Sequence, residues 1–129
     1  MNKLLKSAWS LLLGAALLVA AMPAAAQETE EEAVSGRELL AGCEQNAVPG
    51  HPNQYCMQYV FGLIQTVLML QQMDKAQEQL FCIDPNSVSL EKVTSDVVSW
   101  LQKSRDRLDE DAYVLVSEAL HKHYPCNKM

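Results

Sequence analysis

Apolar residues follow three different rhythms along this chain, and each implies a different kind of element. From Ala8 to Ala21 almost every position is apolar, without a break. From Gln27 to Ala33 the rhythm vanishes, and Glu28, Glu30, Glu31 and Glu32 crowd together. From Leu39 onward apolar positions return every third or fourth residue, the period of helices that turn one face toward a core.

Within that last region the caps divide the helices. Ser35 and Glu38 have the S-x-x-E spacing of a capping box, with Leu39 and Leu40 next, which predicts a first helix over Gly36 to Cys43. Pro49, Gly50 and Pro52 forbid a continuous helix through Glu44 to Asn53. A second helix is predicted from Gln54 to Gln79; its apolar residues cover a wide arc, which suits a central helix touched from several sides. Gly62 interrupts it at a cost of about 1 kcal/mol, and close approach of a neighbouring backbone is the expected compensation. Met57, Met69 and Met73 with Tyr55, Tyr59 and Phe61 read as core packing, and any part left uncovered would mark a dimer or a protein partner.

Asp84-Pro85-Asn86 forms a turn, and Ser89 is the predicted N-cap of a third helix whose face is Leu90, Val93, Val97, Trp100 and Leu101. Ser104 to Leu108 is a charged connection. Asp109 is the expected cap of a fourth helix, with Glu110 and Asp111 in its first turn and Pro125 as its stop. Four helices with short connections predict an all-α fold, a small antiparallel bundle.

The uninterrupted apolar segment changes the picture of where the domain resides. Lys3 and Lys6 precede it and Met22-Pro23-Ala24-Ala25-Ala26 follows it, the layout of a secretory signal cleaved between Ala26 and Gln27. The expected organisation is therefore a signal over 1–26, a solvated acidic arm over 27–34 and a helical domain over 35–129. Of the 129 residues, cleavage leaves 103, with sixteen acids against eight bases, a net charge of −8. Such a surface repels phosphate backbones, so nucleic acid is not expected as a partner, and no membrane association is expected once the signal is gone.

Export gives the four cysteines their meaning. Cys43, Cys56, Cys82 and Cys126 all lie in the mature part, and an even count in a short exported chain reads as two structural disulfides. No CxxC or HxxxH spacing supports zinc or redox catalysis. Cys43 ends the first helix and Cys56 begins the second; Cys82 precedes the third and Cys126 follows the fourth. In an antiparallel bundle each pair shares an end, which favours Cys43–Cys56 with Cys82–Cys126. Joining Cys56 to Cys82 would span roughly 35 Å of a fully helical second helix, against a limit of about 7 Å between Cα atoms. Cys43–Cys126 with Cys56–Cys82 stays open if that helix ends early.

Catalytic chemistry is not in view. HExxH, GxSxG and phosphate-binding glycine loops are absent, His121 and His123 diverge on a helix, and His51 sits alone in the Pro-rich loop. The expectation is a non-enzyme without metal or cofactor.

The order of the motifs then carries a resemblance. Ser35-Gly36-Arg37-Glu38-Leu39-Leu40-Ala41-Gly42-Cys43 resembles the opening of the Rap/Tai immunity proteins of bacterial type VI secretion. Tyr55-Cys56-Met57-Gln58-Tyr59-Val60-Phe61-Gly62 is similar to their aromatic-Cys-x-x-Tyr helix, and Phe81-Cys82-Ile83-Asp84-Pro85, Val88-Ser89-Leu90 and Val97-Val98-Ser99-Trp100-Leu101 to their third segment. Ala119-Leu120-His121-Lys122-His123-Tyr124-Pro125-Cys126 matches their ending. Gln58 departs from a frequent Gly, and Gln65-Thr66 from a usual Ala-Asp. The resemblance implies a periplasmic helical protein that occludes a toxic peptidoglycan amidase, often as a homodimer. The loops Glu44–Asn53 and Ser104–Asp109 are the candidate contact regions. From other classes, an acid-activated periplasmic chaperone or an accessory subunit of an envelope complex would use the same small domain.

Overall fold

A helix can start only where something takes its free N–H groups, and this chain meets that need in two different ways. A computed structural model describes residues 32–75 and 78–126. The expected cleavage point between Ala26 and Gln27, and the arm up to residue 31, lie outside these. The described residues form four helices: α1 (Gly36–Glu44), α2 (Gln54–Met73), α3 (Leu90–Lys103) and α4 (Ala112–His123), with a single 3-10 turn at Arg105–Arg107.

Side chains start the first three. At α1 the Glu38 N–H donates to Ser35 Oγ at 3.2 Å, while the Ser35 N–H donates to Glu38 Oε2 at 2.9 Å. That backbone bond is the main reason the Glu38 carboxyl sits below the ordinary glutamate range. Asn53 caps α2 by accepting from the Cys56 N–H at 2.9 Å, and Ser89 caps α3 by accepting from the Lys92 N–H at 3.1 Å.

The fourth helix departs from expectation, because a backbone carbonyl does the capping. Its N-cap position is Asp111, whose side chain makes no capping bond. The Ala112 N–H donates instead to Val34 O at 2.8 Å, and Gly36 N–H to Glu110 O at 2.9 Å. Asp109 is not the cap; its carboxylate pairs with Arg37 at 3.0 Å. With the incoming chain supplying a carbonyl, the acids before α4 are left for other partners. Gly36 is required here, since a Cβ would overlap Leu115 and lie 3.2 Å from Leu108 O.

Helix α2 is also shorter than predicted, ending at Met73 rather than Gln79. Beyond Met73 come Asp74, Lys75, Glu78 and Gln79, and the next bulky apolar residue is Leu80. A helix continued through them would have no apolar face to pack, and packing is what holds helices of this length. The Asp74 N–H closes the last turn on Leu70 O at 3.0 Å. Gly62 likewise lacks its expected neighbour: it is exposed, and a Cβ there would meet nothing within 4 Å.

All four helices feed one core. Leu39, Leu40 and Cys43 come from α1, Cys56, Val60 and Ile64 from α2, Val93, Val97 and Leu101 from α3, and five residues from α4; Phe81 and Leu108 plug it from the connections. Thr94, fully buried among them, donates its hydroxyl to Leu90 O at 2.7 Å, so no polar atom of that side chain is wasted. Two disulfides staple the frame, Cys43–Cys56 and Cys82–Cys126. The early end of α2 did not bring the other pairing into reach. Closing 13 and 44 residues, they restrict the unfolded chain by about 3 and about 4 kcal/mol respectively.

Candidate functional site

The connection between α1 and α2 is braced by both a disulfide and side-chain hydrogen bonds. Its base is closed twice. Cys43 and Cys56 are joined there, and both are buried. Asn53 reaches back at the same level: its amide donates to Gly42 O at 2.7 Å, Gln45 O at 3.0 Å and Cys43 O at 3.3 Å, while its carbonyl caps α2. One side chain thus terminates α1 and starts α2. Sequence reasoning placed the start of α2 correctly but missed this role; the available signal was an N-cap residue soon after a helix end, with a proline-rich loop between.

The tip is shaped by turn chemistry. Val48-Pro49-Gly50-His51 closes on a His51 N–H to Val48 O bond of 2.9 Å. Gly50 takes φ +78°, the conformation the third position of a type II turn demands, with proline ahead of it. Asn46 also holds a positive φ of 54°, which asparagine tolerates better than most residues. Val48 stands at the tip, 61% exposed.

The loop lies along α3 and leaves a groove of about 400 Å³ between them, with Val98 and Ser95 on the helix side and Val48, Pro49 and Pro52 on the loop side. Polar contacts hold it at both ends. His51 Nδ1 is 2.8 Å from Glu91 Oε1 near the start of α3, and Gln102 Nε2 donates to Glu44 Oε1 at 3.3 Å near its end. Arg105 comes within 4.0 Å of the same Glu44 carboxylate. The two sequence-predicted contact loops, Glu44–Asn53 and Ser104–Asp109, are therefore neighbours.

The second loop has its own anchor. Arg107 donates to Glu110 at 2.6 Å and to Glu118 at 2.7 Å, with its guanidinium 6.0 Å from the centre of the Trp100 ring. The hydrogen bonds from Arg107 hold both carboxyls below the ordinary glutamate range. Depressed carboxyls favour the folded form above their unfolded value, and that contribution is lost as pH falls through their native values. The latch therefore holds at neutral pH and loosens in acid.

The remaining predicted residues are scattered. Ser35 and Glu38 start α1, Ser89 starts α3, and Pro125 follows the end of α4. Gly62 faces outward on α2. Cys82 and Cys126 join the α2–α3 connection to the chain after α4. Among the described residues no group of three or more His, Cys, Asp or Glu is placed to hold a metal ion, and no helix is long and apolar enough to cross a membrane.

One further surface stands out. α2 contains no Asp, Glu, Lys or Arg in its 20 residues. Phe61, Met69, Leu70 and Met73 on it are all more than half exposed. Its neighbours α1 and α3 do not cover it.

A family model described as Rap1a immunity proteins matches residues 35–126. No curated protein and no solved structure matches the chain. The matched region opens at the Ser35 cap, closes at Cys126 and takes in both disulfides and the loops over 44–53 and 104–109. It spans well over half of the chain, and by it this protein belongs to the Rap1a immunity protein family.

Proposed function

We propose that the protein is a periplasmic immunity protein that binds a peptidoglycan amidase toxin of type VI secretion and blocks its substrate cleft. The family match carries this reading. The built loop over 44–53 supports it, because occlusion requires a contact surface that is rigid before binding. A loop closed at its base by a disulfide and by Asn53 loses little further freedom when it docks. No catalytic group is needed for this work, and the protein acts as an inhibitor rather than as an enzyme. The segment 1–26 acts as the export signal, cut between Ala26 and Gln27. The acidic mature chain steers a basic toxin surface toward it. A homodimer would bury the uncharged outer face of α2.

The test is survival of a host. The product of the gene beside this one is directed to the periplasm, with this protein supplied either with or without residues 1–26. Rescue from lysis only when the protein is exported is the expected result. Lysis regardless of the protein, or a neighbour that does not kill, removes the immunity reading.

A further inference from the structure

The two disulfides occupy opposite environments. Cys43 and Cys56 are 1% and 0% exposed and belong to the core. Cys82 is exposed and Cys126 only half-buried, and neither is a core member. A hollow of about 480 Å³ opens beside the second bond, lined by Glu78, Gln79, Leu80, His121 and Pro125. A small thiol or the active-site loop of a redox protein can reach sulfur there, whereas the first bond is reached only by opening the core.

The hollow also carries groups suited to the exchange. Gln79 Oε1 is placed 3.2 Å from Cys82 Sγ and 3.7 Å from Cys126 Sγ. Sulfur in a disulfide has no hydrogen to give, so the side-chain amide fits this position with its NH2 turned toward the sulfurs. An amide donor at that place stabilises a thiolate as it forms. His121 Nδ1 lies 2.6 Å from Leu80 O, and because a carbonyl only accepts, the proton is on Nδ1. That bond holds the segment before Cys82 against the last turn of α4.

We infer that Cys82–Cys126 is a thiol–disulfide exchange site for a dithiol or dithiol oxidoreductase, while Cys43–Cys56 is a permanent structural bond. A thiolate of the dithiol attacks Cys82 Sγ, the bond to Cys126 breaks, and Cys126 leaves as a thiolate that takes up a proton. The second thiol of the reagent then attacks the mixed disulfide and releases Cys82. Two electrons and two protons pass to the protein, and the dithiol leaves as its own disulfide. Run backward, the same steps install the bond. The chain around it stays in place, since the Cys82 N–H donates to Tyr124 O at 2.8 Å and Tyr124 Oη donates to Asp96 at 2.5 Å without help from sulfur.

The experiment is timed reduction of the folded, oxidised protein with dithiothreitol in native buffer, followed by alkylation and peptide mass spectrometry. Cys82 and Cys126 are expected to be labelled at least about tenfold faster than Cys43 and Cys56, because the latter wait for the core to open. A Cys82→Ser/Cys126→Ser double variant should keep the helical circular dichroism of the parent, and its remaining bond should resist the reagent as before. Simultaneous labelling of all four thiols, or labelling of Cys43 and Cys56 first, overturns the assignment. The labelling kinetics of the unaltered protein decide the matter even if the variant fails to fold.

Discussion

At its amino end α2 enters the fold through Asn53 and Cys56, a cap and a crosslink that both reach the end of α1, and its first three turns bury Cys56, Val60 and Ile64. At its carboxyl end, from Gln65 to Met73, no residue is fully buried, Met73 is 78% exposed, and the helix stops where its apolar pattern stops. Both halves are helical and uncharged, so local propensity does not separate them. Tertiary context does: the first half is defined by what it touches inside the chain, the second by what it leaves uncovered. A protein whose work is binding needs both kinds of surface, a frame that does not yield and a face that is not yet satisfied.

The comparison can be broken most severely at the crosslink. Replacing Cys43 and Cys56 together by alanine should cost about 3–5 kcal/mol, read as a lower urea midpoint. Next come paired truncations on the two halves. Ile64→Ala should cost about 2–4 kcal/mol, and Leu70→Ala, at a site 57% exposed, less than about 1 kcal/mol. If a second copy seats on that face, the Leu70→Ala cost grows with protein concentration, so unfolding at two concentrations sharpens the contrast. Asn53→Ala should cost about 1–2 kcal/mol and speed amide exchange in the loop. The last effect has the opposite sign. Among the described residues, Gln71 Nε2 is buried without a hydrogen-bond partner, so Gln71→Leu should stabilise by about 1 kcal/mol. A loss of stability there would show that the carboxyl half of α2 is better packed than its burial implies.

Where local chemistry decides, the chain was legible. The Ser35–Glu38 box, the Ser89 cap and the break in helix at Pro49, Gly50 and Pro52 need only near neighbours, and helix order was enough to favour the disulfide pairing. Errors arose where a distant segment decides. Asp109 was expected to cap α4 because nothing local shows that Val34 brings a carbonyl there. Gly62 was expected to meet a neighbouring backbone; Gly36 is the glycine that does, because the α3–α4 connection crosses it. The end of α2 was overrun because its helix-forming residues continue after its apolar partners have ended. As for the candidate site, the loop was visible as an interruption, but the tie from Asn53 to α1 and the contact along α3 depend on folding and could not be read ahead of it.

Because the two disulfides follow one another along the chain rather than interlocking, they divide it into two covalent rings, 43–56 and 82–126, joined by a single open stretch. A protease that cuts inside either ring leaves the molecule in one piece. One cut between Met57 and Phe81 parts it into two ringed fragments held together by packing alone. The carboxyl half of α2 lies in that stretch, as do the exposed residues 74, 75 and 78–80 after it. The same region that offers uncovered surface is thus the only span within the matched domain where one nick can separate α1 from α3 and α4 on a non-reducing gel.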